Sequence, residues 1–93
     1  MGKLPMAFRD LEAPERWTVE DRSGRHPRER TLVLGPRNIR YRRRTCAYED
    51  VRYWSNLPDG IFYWVDRHGR LTYLHTGDGA ALSRALYARC ELA

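Results

Sequence analysis

Arg40, Arg42 and Arg44 stand at alternate positions in the run Ile39-Arg40-Tyr41-Arg42-Arg43-Arg44-Thr45. Successive side chains of an extended strand point to opposite faces. The three would therefore form a row of guanidinium groups about 6.6–7 Å apart, with Ile39, Tyr41, Arg43 and Thr45 on the other side. A guanidinium is a planar fork of donors that matches phosphate and carboxylate oxygens. Such a row suits nucleic-acid phosphates, anionic lipid headgroups or an acidic protein face. Its plainer use is a solvated sheet face whose charge discourages edge-to-edge aggregation. Arg37 and Arg52 lie close in sequence, and Arg28 and Arg30 flank the preceding strand. Tyr53 and Trp54 follow Arg52; if exposed they would stack or anchor a partner, and if buried they would fill the core. The candidate binding set is thus Arg37, Arg40, Arg42, Arg44, Arg52, Tyr53 and Trp54.

Other chemistry finds less support in the residues. His26, His68, His75, Cys46 and Cys90 form no CxxC, HxxxH or other close metal-ligand pair, so no metal is expected. Nucleophilic catalysis needs a thiol or hydroxyl beside a base and an orienting group, and no such constellation can be drawn. Glu49 and Asp50 are adjacent, which on a strand turns them to opposite faces and spoils shared acid–base work. Gly77-Asp78-Gly79 precedes a helix but lacks the lysine and spacing of a phosphate loop, and helix capping explains it better. A chain that is not an enzyme and uses no cofactor or small-molecule substrate is the expectation.

The elements that must position these residues can be read from pattern. Ile61-Phe62-Tyr63-Trp64-Val65 is an unbroken run of strand formers, Asp66-Arg67-His68-Gly69 a tight turn with Gly69 left-handed, and Arg70–His75 the returning strand. Thr31–Leu34 is a strand, Gly35-Pro36-Arg37-Asn38 a turn, and residues 39–45 the strand that carries the arginine row. Trp17–Glu20 is a further short strand and residues 21–30 a wholly polar loop. Residues 46–54 read either as a helical turn or as a turn and a short strand, and Asn56–Gly60 as a loop. In residues 79–91 Leu82, Leu86 and Cys90 recur every four residues with Ala85 beside them, one apolar stripe on a helix about 20 Å long. So short a helix is marginal alone, so its stripe is expected to dock on the sheet.

The whole is a chain of 93 residues with formal charge +5, in which Lys3 is the only lysine among 17 basic residues. That length suits one domain, here residues 17–93, behind a partly ordered N-terminal arm over 1–16 in which Met6, Phe8 and Leu11 can pack. No apolar run of leader or membrane-span length is visible, and two cysteines give no disulfide framework, so a cytoplasmic setting is expected. The fold class expected is α+β, mainly β: a bent antiparallel sheet or partly open barrel with one C-terminal helix.

The order of these pieces resembles bacterial pleckstrin-homology-like domains. Thr31–Pro36, Ile39–Arg44 and Tyr48-Glu49-Asp50-Val51 are similar to that family's central strand pair and the step after it. Phe62–Leu71 and Thr76–Leu86 are similar to its closing hairpin and helix. The resemblance covers roughly residues 31–90. It implies a bent antiparallel barrel plugged at one end by the helix, and a scaffold that binds proteins, peptides or lipid headgroups without catalysis. Glu49–Trp54 followed by a hairpin is also similar to the opening of LytTR-type DNA-binding domains, which implies nucleic acid as the alternative partner. A small protein-binding module or regulatory inhibitor is the first expectation, nucleic-acid binding the second and an enzyme the third; among partners, protein comes first, then nucleic acid, then anionic lipid.

Overall fold

The computed structural model describes residues 13–92; the proposed packing of Met6, Phe8 and Leu11 lies outside them. Among the described residues seven strands and one helix follow in order: β1 (Glu15–Asp21), β2 (Arg28–Leu34), β3 (Asn38–Tyr41), β4 (Arg44–Ala47), β5 (Val51–Leu57), β6 (Ile61–Asp66), β7 (Leu71–His75) and α1 (Gly79–Leu92), with a 3-10 turn at Tyr48–Asp50 between β4 and β5. The strands make one antiparallel sheet in the order β4-β3-β2-β1-β7-β6-β5. It is two meanders, β1–β4 and β5–β7, joined where β1 meets β7 through one register pair, Glu20 with His75. The sheet stays open, with β4 and β5 as its two edges.

Alternation decides which side of each strand is buried. Val19, Leu32, Leu34, Ile39, Tyr41, Phe62, Trp64 and Leu74 point to one face and join Leu82 and Leu86 of α1 in a single core. Tyr41 on β3 meets Trp64 on β6 edge to face, ring centroids 6.3 Å apart. Those strands are four places apart in the sheet order, which in a flat sheet would separate them by about 19 Å. The sheet must therefore curl until its halves face each other.

The expected strand over 39–45 is corrected. The chain turns back at Arg42-Arg43, with Tyr41 opposite Arg44 and Arg40 opposite Thr45. Arg42 carries φ 59, a left-handed conformation that favours glycine. A hairpin at this point carries no Gly, Pro or Asn to announce it. The polar loop is also shorter than expected, because β1 runs on through Asp21 and β2 starts at Arg28. The Asn56–Gly60 loop shrinks likewise: β5 continues through Leu57, and Gly60 supplies the positive φ. Residues 46–54 contain both a helical turn and a strand.

The second hairpin forms as expected. Gly69 has φ 79, and Asp66 Oδ1 accepts from the amides of His68 and Arg70 at 2.9 Å each, which fixes the turn. Asp78 caps α1 by accepting from the Ala81 amide at 3.0 Å. Leu82 and Leu86 are fully buried, so the stripe docks. One residue on that side was not anticipated. Arg89 is also buried, donating to the Gly35 carbonyl at 3.0 Å and the Ala13 carbonyl at 2.7 Å, with Glu15 at 3.7 Å. Tyr48 Oη donates to the same Gly35 carbonyl at 2.6 Å. The helix is thus fastened to the end of β2 that is remote from Arg28.

Candidate functional site

At the other end of the sheet β1 finishes, β2 begins, β3 turns into β4, and β7 starts. β7 is paired with β1 only at His75, so Leu71–Tyr73 stand away from β1. The gap is a cleft of about 630 Å³ lined by Asp21, Ser23, Arg30, Tyr41, Arg42, Arg43, Arg44 and Leu71–Tyr73. An adjoining hollow of about 360 Å³ shares Asp21, Ser23, Arg30 and Arg42, and adds Gly24, Arg25, His26 and Arg28 from the β1–β2 loop. No residue of α1 lines either.

Among the described residues, six arginines therefore surround a single carboxylate, Asp21. Asp21 is buried although ionisable. Its Oδ1 accepts from the Ser23 amide at 2.9 Å and the Ser23 hydroxyl at 2.5 Å. Its Oδ2 accepts from Arg42 Nη1 at 3.3 Å, with Arg30 Nε at 4.0 Å. These hydrogen bonds from Ser23 hold the Asp21 carboxyl below the usual carboxylate range; the Arg42 and Arg30 charges add to that, and burial opposes it. One negative charge is set against several positive ones, so the cleft keeps a strong excess of positive charge.

Two buried donors in the cleft wall, Arg30 Nε and Tyr41 Oη, make no hydrogen bond among the described residues. Burial, then the nearby Asp21 charge, push the Tyr41 phenol up, so it stays protonated as a donor. The cleft can accept an anion by direct ion pairing and by hydrogen bonds from these groups. The thiols lie elsewhere, Cys46 and Cys90 packing against the core. Burial pushes the Cys46 thiol up, and Cys90 is pushed up to about 11, by burial first and then by Cys46 and Glu91. Among the described residues no cluster of three metal-ligating side chains occurs, and no helix is long and apolar enough to cross a membrane.

The seven sequence candidates separate. Arg42 and Arg44 line the cleft. Arg40 stays on the outer side of β3, alternating with the buried Ile39 and Tyr41, and the hairpin carries Arg42 and Arg44 away from it. Arg37 sits in the β2–β3 turn at the opposite end, with its carbonyl accepting from the Tyr48 amide. Arg52 occupies the register shift of β5, Tyr53 is exposed on the outer face, and Trp54 packs inward against the core. Sequence reasoning missed Asp21, Ser23, Arg43 and Leu71–Tyr73 as site residues. The usable signal was the arginine content of residues 22–30, which becomes a site only once the β3–β4 turn is placed beside it. No protein-family model and no curated protein sequence matches the chain.

Proposed function

We propose that this chain is a non-enzymatic binding module on a pleckstrin-homology-like scaffold, and that its arginine-lined cleft takes an acidic segment of a partner protein. The observation that carries this reading is the set of six arginines around one already engaged carboxylate, with buried donors to spare. Two meanders and a C-terminal helix are compatible with such a scaffold. A regulatory inhibitor would act through the same contact, by masking an acidic face of its target. Two free cysteines suit a reducing, cytoplasmic compartment.

The test is a titration of the purified chain with a short Glu/Asp-rich peptide, single-stranded RNA and duplex DNA, at low and at physiological salt. Saturable peptide binding is expected. It should weaken by at least about tenfold, or ~1.4 kcal/mol, in an Arg42→Ala, Arg44→Ala variant whose melting temperature is unchanged. Absence of peptide binding at low salt contradicts the proposal. So does tighter nucleic-acid binding with a steep salt dependence.

A further inference from the structure

Four of the large apolar side chains most exposed among the described residues, Tyr53, Leu57, Leu71 and Tyr73, lie on β5 and β7. Register puts them on one face. Ser55 pairs with Tyr63 and Tyr63 with Tyr73; Tyr53 pairs with Val65 and Val65 with Leu71; Leu57 pairs with Ile61. All of these are opposite in parity to the buried Phe62, Trp64 and Leu74, so they make the outer surface of the β5–β7 meander. Exposed aromatic and aliphatic side chains gathered on one face mark an interaction site more often than scattered ones do.

This face is continuous with the cleft, because Leu71 and Tyr73 belong to both. We infer that the two form one docking surface for an acidic protein segment whose carboxylates enter the arginine cleft and whose following apolar side chains lie across Tyr73, Tyr63 and Tyr53. The inference rests on the binding function proposed above and adds the second half of the partner's chemistry. From β7 to β5 the face is about 10 Å wide, which three or four extended residues span.

Two observations favour this occupant. A second copy of the chain would bring net charge +5 toward the arginine cleft, which repels it. A nucleic-acid strand would need open ring faces, but Tyr53 and Tyr63 pack on each other, tilted by 45° with centroids 5.9 Å apart. Val65 and Leu71, which continue the row of Tyr53 beside Tyr63 and Tyr73, are aliphatic and suit apolar side chains better than bases.

The experiment compares two peptides, one Glu/Asp-rich and one with the same acidic run extended by leucine and phenylalanine. Wild type is tested beside a Tyr53→Thr, Tyr63→Thr variant, whose fold is checked by circular dichroism; threonine keeps strand preference, and neither tyrosine lines the cleft. The extended peptide should bind wild type about tenfold tighter than the acidic one. The variant should lose that gain and keep its affinity for the acidic peptide. If the gain is absent in wild type, or persists in the variant, this inference fails while the cleft reading stands. If neither peptide binds, both fail. Concentration-dependent self-association abolished by the variant, or preferential binding of single-stranded RNA to the tyrosine face, would also overturn it.

Discussion

Arg42 concentrates the tension between stability and binding. It adopts φ 59 at a two-residue turn, where a side chain costs on the order of 1–2 kcal/mol relative to glycine. Its ion pair with Asp21 is half exposed on the arginine side, and such pairs offset little of that. Strain kept at a charged cleft wall is the pattern expected of a residue held for its guanidinium. Arg42→Gly should therefore leave the melting temperature unchanged or raise it, while weakening acidic-peptide binding; a drop in both would mark the residue as structural. Asp21 should behave in the opposite sense. Its folded-state pKa is lowered, so its contribution to stability is present at neutral pH and is lost as pH falls below about 4. Asp21→Asn should lower stability at neutral pH and flatten its acid dependence in urea titrations. The same change removes a negative charge from the cleft, so the acidic peptide should bind more tightly.

At the scale of elements, the closing helix and the hairpins differ in how openly the sequence declares them. Leu82 and Leu86 recur at helical spacing and are fully buried, so Leu86→Ala should cost about 2–5 kcal/mol by denaturant titration; a change below ~0.5 kcal/mol would mean the helix is not docked. The β6–β7 hairpin is equally open to reading, because Asp66 and Gly69 give its turn a local mechanism. The β3–β4 hairpin is hidden. Its turn consists of two arginines, and only the core demand for Ile39 and Tyr41 on β3, with Cys46 against the core, makes the chain reverse there. Arg89 is hidden for a similar reason. A buried arginine on an apolar helix face is legible only when the carbonyls of Gly35 and Ala13 are brought to it by other elements. Arg89→Met should destabilise the fold by about 1–3 kcal/mol, because the Gly35 and Ala13 carbonyls lose a charged donor.

For the whole molecule, the fold class was legible because periodicity reports burial, and burial is what sorts side chains inward. The site was legible only in part, since it is assembled from three segments far apart in sequence: the β1–β2 loop, the β3–β4 turn and the start of β7. The alternating Arg40, Arg42 and Arg44 suggest one flat row, whereas the molecule divides those charges between a cleft wall and an outer face. The helix fastens one end of the curled sheet through Gly35, and the imperfect join of β1 with β7 leaves the other end open and positive. On the function proposed, an acidic protein segment enters at that open end. Amide shift mapping by NMR of the labelled chain, titrated with a Glu/Asp-rich peptide, locates the contact. The largest shifts are expected at Ser23, Arg42–Arg44 and Thr72; shifts centred instead on Arg37, Arg40 or α1, with the cleft amides unmoved, would rule out entry at that end.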